Sequence, residues 1–385
     1  MNHNLQAILN AYQDSQLNEG PTFLATVVHT QGSTYRHSGA RMLIADQGKM
    51  TGMVSGGCLE HDIICHIQQQ APPYDPFLIT YDTTPEEDLL WGFGLGCNGT
   101  VQVLVECLKT DLVCHPLTFI QDCFEHQQPG VLATVFQVKG NRQVSIGARL
   151  TLHTDDSIDD TLANAALRQA IAQDAYIVLS QQETTHRHYQ FSFGQLDVLF
   201  EFIQPPTQLI LFGAGRDAVP LAKLAKTLRW HLTMVDCRAL ETTKERFAIA
   251  DQIILTHRDI VSQQVAISDN TVAVVMTHNY HDDVEILKTL LQSPAKYIGI
   301  LGSRQRTQRL LQTLHQETSI DMPKNRLYAP IGLDIGAETP EEIAISIIAE
   351  IQAVLTHHKA GFLKYRQAPI HQPVSQSQKP IYAAL

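Results

Sequence analysis

The sequence predicts an α/β fold in which a doubly wound parallel sheet follows an α+β domain with a duplicated β-unit. Three observations predict it. From Gln208 onward, short continuous apolar runs alternate with helical stretches, the pattern of a parallel sheet covered on both faces. The first of those runs, Leu209-Ile-Leu-Phe212, enters the turn Gly213-Ala-Gly-Arg-Asp-Ala218. In the N-terminal half, Pro21-Thr-Phe-Leu-Ala-Thr-Val27 recurs as Pro129-Gly-Val-Leu-Ala-Thr-Val135.

The repeat extends further without a gap. Gly32 matches Gly140, and Gly39-Ala-Arg41 matches Gly147-Ala-Arg149, all at one constant offset. Each copy reads as a strand, a polar turn and a second strand. Around them, the sequence predicts helices over Leu5–Asp14, Glu60–Gln69 and Ile158–Gln173. Further strands are expected at Lys49–Val54, Phe77–Tyr81 and Val101–Val105. The paired prolines of Gln204-Pro-Pro-Thr207 break regular structure and mark a boundary. The expected organisation is therefore a first domain over residues 1–110, a second α+β segment over 111–203 and the parallel-sheet domain over 204–360. The Gln- and Pro-rich residues 361–385 read as a loosely ordered tail.

Composition limits the partners. The formal net charge is −11, from 28 basic and 39 acidic side chains, which argues against nucleic acid and against an anionic membrane. There is no apolar run long enough to span a bilayer and no signal-peptide pattern. Seven cysteines without paired C-x-x-C spacing suit a reducing cytoplasm better than a disulfide framework.

In the C-terminal half, Gly213 and Gly215 follow a strand and open a helix. Asp236 ends the next strand, at the spacing of about 20 residues where an acid meets a ribose hydroxyl. This is the Rossmann fingerprint, in which the glycines let the backbone approach a pyrophosphate at a helix N-terminus. A Rossmann fold that carries no nucleotide is the alternative. Ser303 and Arg304 open another helix after a strand, either as a second anion site or as a cap with a surface arginine. His278 closes a strand at the edge where such sheets bind ligands. With His281, Asp282 and Asp283 it reads as an acid–base group, a metal cluster or a helix cap.

The N-terminal half carries two cysteines inside glycine turns, Cys58 in Val54-Ser-Gly-Gly-Cys-Leu-Glu60 and Cys97 in Gly92-Phe-Gly-Leu-Gly-Cys-Asn-Gly99. Gly57 beside Cys58 leaves the thiol little shielded. The open readings are soft-metal ligand, persulfide carrier, nucleophile, or small residues in tight turns. The loop Gly32-Ser-Thr-Tyr-Arg-His-Ser-Gly-Ala-Arg41 offers Arg36 and Arg41 to an anion. Arg41 recurs as Arg149, which favours a structural role for it; Arg36 has no counterpart.

Together these motifs resemble the XdhC/CoxI family, the xanthine dehydrogenase accessory factors. The resemblance rests on Gly32-Ser-Thr-Tyr-Arg36, the two cysteine turns, Gly213-Ala-Gly215, Val235-Asp-Cys-Arg238, Met276-Thr-His278, Tyr297-Ile-Gly-Ile-Leu-Gly-Ser-Arg304 and Gly332-Leu-Asp-Ile-Gly336. It covers most of the chain. Tyr35 departs from it, because the family often has proline there. The resemblance implies a factor that binds the molybdenum cofactor (molybdopterin) as cargo, supports its sulfuration and delivers it to a molybdenum hydroxylase of the xanthine dehydrogenase type. A cysteine desulfurase partner and a homodimer go with that expectation. Cys58 and Cys97 would then face the metal or its sulfur. Arg36, Arg41, Gly57, Gly213, Gly215, Asp236, His278, Ser303 and Arg304 would contact the rest of the cofactor. The alternative is an NAD(P)-dependent oxidoreductase with His278 as its catalytic acid–base group; it leaves the cysteine turns without a role.

Overall fold

The computed structural model describes residues 5–16, 20–45, 48–82, 98–108, 113–140, 144–191, 194–238, 241–318, 325–367 and 381–382. The chain divides into two compact units, Met1–Pro205 with His371–Leu385, and Pro206–Ile370.

The first unit holds two sheets. One contains β1 (Thr22–Ser33), β2 (Arg41–Ile44), β3 (Met50–Gly52), β4 (Phe77–Asp82) and β5 (Asn98–Leu108), in the order β3-β2-β1-β5-β4. The other contains β6 (Gly130–Gly140), β7 (Arg149–His153), β8 (Ile158–Asp160), β9 (Thr185–Phe191) and β10 (Gly194–Ile203), in the order β8-β7-β6-β10-β9. These are the same topology twice. Thr26 pairs with Arg41 and Thr134 with Arg149; Met42 pairs with Gly52 and Leu150 with Asp160. Leu24 faces Glu106 across β1–β5, and Leu132 faces Glu201 across β6–β10. Even the irregularities recur, since β1 skips Val28 against β5 as β6 skips Phe136 against β10. The duplication is thus a whole five-stranded sheet with a helix inserted before its fourth strand, far more than the stretch from Pro21 to Arg41 that looks alike.

Packing joins the copies. Val28, Leu104, Phe136 and Leu199, two residues from each copy, form one small buried cluster. Beside it the copies exchange ion pairs. Arg41 donates to Glu201 at 2.6 Å, and Arg149 donates to Glu106, with all four side chains at most 8% exposed. Each arginine also donates to the carbonyl of its own turn glycine, Gly39 or Gly147.

One helix departs from the sequence expectation. Ile158–Asp160 is the edge strand β8, and the helix expected over Ile158–Gln173 runs Ala165–Gln181 instead. Two local forces shift it. Ile158 finds a ladder partner in Leu152, and Asn164 caps the helix by accepting from the Leu167 N–H at 2.9 Å. Leu167, Ile171, Ala175 and Val178 then form its buried stripe. Of the tail, Ile381–Tyr382 pair in parallel with β9.

The second unit is a six-stranded parallel sheet of β11 (Gln208–Phe212), β12 (His231–Asp236), β13 (Gln252–Leu255), β14 (Thr271–Val275), β15 (Tyr297–Ile300) and β16 (Leu327–Tyr328). Its order, β13-β12-β11-β14-β15-β16, is that of the Rossmann fold. Leu209 and Leu211 pack into one core with Leu221, Ala225 and Ile347 from the helices Ala218–Thr227 and Pro340–Leu355. Ile210 and Phe212 face the opposite core with Leu287 and Leu310 from the helices Tyr280–Gln292 and Arg304–Glu317. The strands are mostly apolar because both faces are covered.

Candidate functional site

Each unit carries one cluster of the expected residues. In the first, the Cys58 turn is built around two side chains. Glu60, only 6% exposed, accepts from the backbone N–H of Val54 at 3.1 Å and of Ser55 at 2.8 Å, and also from the Ser55 hydroxyl. Ser55 Oγ in turn accepts the N–H groups of Gly57, Cys58 and Leu59 at 3.1–3.2 Å. Burial pushes the Glu60 carboxyl up, but these donors outweigh it and hold its pKa below the ordinary value. The N–H groups of Val54, Ser55, Gly57, Cys58 and Leu59 are therefore satisfied within the turn, and what it presents is the half-buried Cys58 thiol. Gly57 takes a φ of +113°, a region that a Cβ disfavours.

The Arg36 loop lies against this turn. The Tyr35 ring sits 3.7 Å from where a Cβ on Gly56 would be, yet it remains 68% exposed. Arg36 is half-buried, and its Nε is a buried donor with no partner among the described residues. The structure thus brings Tyr35, next to Arg36, to Gly56, next to Gly57 and Cys58. It places Arg41 elsewhere, in the ion pair with Glu201 that ties the copies together. Cys97 lies outside the described residues. Among the described residues, no group of three His, Cys, Asp or Glu side chains is placed to hold a metal ion.

In the second unit, Gly213 closes β11 where the chain passes the end of β14, with φ +111° and the Met276 carbonyl where its Cβ would be. No other residue fits that approach. His278, just past β14, has a left-handed φ of +59°. Its Nε2 lies 2.6 Å from Oδ2 of Asp217, in the glycine turn itself. The other Asp217 oxygen sits where a Cβ on Gly215 would be. So His278, Gly213 and Gly215 do come together, joined by a carboxylate that sequence reading passed over. Its only sequence signal was its place within the G-x-G-x-x-A turn.

Asp236 and Ser303 are occupied in local structure. Asp236 is 1% exposed; one oxygen accepts the Arg238 N–H at 3.1 Å and the other the Thr243 hydroxyl at 2.6 Å. Ser303 caps its helix by accepting from the Arg306 N–H at 3.3 Å, and Arg304 is exposed beside it. Arg306, unlike Arg304, is anchored, donating to Asp283 at 2.6 Å.

Known proteins share this architecture. A family model described as the XdhC Rossmann domain matches residues 209–351. Another, described as the XdhC and CoxI family, matches residues 16–82 and 123–190, segments that reach from before β1 to β4 and from before β6 into β9. A Bacillus subtilis protein described as a probable xanthine dehydrogenase subunit is 34% identical over 90% of this chain and 96% of its own length. The molybdenum cofactor insertion chaperone PaoD of Escherichia coli is 20% identical, over 87% of this chain and 84% of its own. A crystal structure of a xanthine dehydrogenase from Bacillus halodurans superposes with a TM-score of 0.72 at 29% identity, covering 91% of this chain and 96% of that one.

Proposed function

Because the chain belongs to the XdhC and CoxI family, we propose that it is a xanthine dehydrogenase accessory protein that holds the molybdenum cofactor as cargo at the Cys58 turn and delivers it, sulfurated, to a molybdenum hydroxylase. One observation carries the reading: the Arg36 loop, with its unpartnered buried Nε, packs on the turn that presents the Cys58 thiol. A thiol is a soft ligand suited to a metal already rich in sulfur, and a guanidinium donor suits an oxyanion. Cys97 joins this site in the proposal, and a cysteine desulfurase and a second copy of the chain are its proposed partners, in a cytoplasmic setting.

The second unit supports the role without a nicotinamide cofactor in this reading. Asp217 places negative charge beside Gly215, where a pyrophosphate would sit, and both Asp236 oxygens are engaged. His278, Ser303 and Arg304 remain proposed anion contacts of the second unit.

The test is cofactor retention. Protein purified from a molybdopterin-producing host is assayed for bound pterin and for activation of a partner hydroxylase. Cys58→Ala and Arg36→Ala are each expected to lower retention about tenfold, roughly 1.4 kcal/mol of binding. Unchanged retention in Cys58→Ala and in a Cys58→Ala/Cys97→Ala double variant would sink the thiol's role.

A further inference from the structure

The Cys58 turn carries a flat surface that neither the thiol nor Arg36 accounts for. Tyr35 Cγ lies 3.7 Å, and Cδ1 and Cδ2 each 3.8 Å, from where a Cβ on Gly56 would be. A point almost equally far from these three ring atoms lies above the plane of the ring, because at the rim the three distances would spread. The Tyr35 ring is therefore laid face-down on Gly56, at ordinary van der Waals distance. Its other face is left to solvent, since Tyr35 is largely exposed. No atom lies within 4 Å of a Cβ on Gly57, so the next position of the turn opens on free space. A lone exposed aromatic is unremarkable in itself. A ring seated on one face and open on the other is different, because the seat fixes its orientation before anything binds.

The arrangement belongs to the first copy alone. At the constant offset of the repeat, Gln143 stands for Tyr35 and Asn164 for Gly56, so the second copy has neither the ring nor the bare backbone under it. Asn164 caps a helix instead. Ring and seat thus go with the Cys58 turn and not with the ladder that the copies share. Tyr35 also stands where the family often has proline, which makes the ring a feature of this chain. An open tyrosine face stacks, offset, on a flat heteroaromatic ring, and aromatic side chains hold nucleobases in this way.

We propose that Tyr35 is a specificity-determining residue of the Cys58 site: its free face takes the ring end of the cargo, while the thiol and Arg36 take the metal and an oxyanion. The identity of that ring rests on the carrier role proposed above; the seating of Tyr35 on Gly56 does not.

Pterin retention is compared in full-length Tyr35→Leu, Tyr35→Phe and Cys58→Ala, each purified from the molybdopterin-producing host. Tyr35→Leu is expected to retain about tenfold less pterin, roughly 1.4 kcal/mol. Tyr35→Phe keeps the face and should restore retention to within about twofold of wild type. A merely structural ring is separated by a direct readout: pterin is titrated into wild type and into Cys58→Ala, followed by NMR of the tyrosine ring protons, with the Tyr35 signals assigned by Tyr35→Phe. Stacking should move those signals upfield in both proteins. If Tyr35→Leu retains as much pterin as wild type while Cys58→Ala loses it, the Tyr35 role is overturned and the carrier role stands. If Cys58→Ala retains pterin and Tyr35→Leu loses it, the thiol's role falls and that of Tyr35 stands. Should Tyr35→Leu fail to fold, the titration decides: Tyr35 signals unmoved by pterin at about 1 mM overturn the proposal whatever the retention.

Discussion

The two β-units of the first compact unit share a ladder and differ in what is attached to it. Their strands keep one constant offset in sequence from β1/β6 through β4/β9, which makes the segment before β4 equal in length to the segment before β9. At that offset Cys58 corresponds to Ala166, Gly57 to Ala165 and Glu60 to Arg168. In the second copy these residues are already helix, whereas in the first the helix starts only at Glu60 and stops at Gln68, short of Pro72 and Pro73. The glycine turn therefore replaces the first turn of a helix, exchanging regular structure for an accessible thiol. The strands after it part company as well. Thr100 pairs with Asp82 as Gln195 pairs with Gln190, so the offset shrinks past this point and the first copy has the longer connection, the one that contains Cys97. Both cysteine motifs are thus departures from a common plan, while the arginines and glutamates that join the copies follow it.

The common plan is broken most severely at the exchanged ion pairs. Removing one partner leaves a buried charge alone, so Glu201→Ala and Glu106→Ala should each cost ~3–5 kcal/mol in urea unfolding of the first unit, followed by amide exchange across its two sheets. Because the pairs are equivalent by register, the two losses should agree to within about 1 kcal/mol. Replacing a whole pair, Arg41→Met with Glu201→Leu, should recover most of the loss. Unequal losses would show that one copy, and not the pair, carries the interface.

Much of this was legible in sequence, and the reasons are local. The parallel sheet announces itself because most of its strands are built on apolar runs and the glycine turn follows one of them directly. The duplication shows only between Pro21 and Arg41 and their counterparts, since elsewhere the ladder accepts any apolar or β-branched residue on its buried face; Leu78 and His186 occupy the same register with nothing in common. Pairings between distant residues had no local sign. Asp217 and His278 are 61 positions apart, Arg41 and Glu201 160. The arginine's recurrence hinted at a structural role, but its partner lies in the other copy. Asp236 illustrates the opposite case: its spacing fits a ribose contact, yet Thr243 and the Arg238 N–H, both close in sequence, claim it first.

The turn itself is sharpened by its carboxylate. Glu60 holds Val54 and Ser55, and Ser55 holds the N–H groups of Gly57, Cys58 and Leu59, whereas the counterpart of Glu60, Arg168, reaches out to Asp160 at 2.8 Å. Glu60→Ala should cost ~2–3 kcal/mol, through loss of buried acceptors, and should raise the rate at which Cys58 reacts with a thiol reagent. The sign of the pH dependence follows from the lowered pKa. The stabilisation is full above the unfolded-state value near 4.5 and is lost as pH falls through the lower folded value. Wild-type protein should therefore lose stability below about pH 4.5 more steeply than Glu60→Gln.

The smallest change is Gly57→Ala, which gives the first copy the residue that the second has at the same offset. No atom lies within 4 Å of the added Cβ, so only the backbone conformation at φ +113° opposes it. That strain is worth ~1 kcal/mol. In the second copy Ala165 carries no such strain, because there the chain is helical. The expected outcome is a loss of about 1 kcal/mol in urea unfolding with the Cys58 thiol reacting as before. Should stability stay unchanged while the thiol becomes protected, the turn has converted to the helix of its counterpart, and the glycine alone is what keeps the two copies different there.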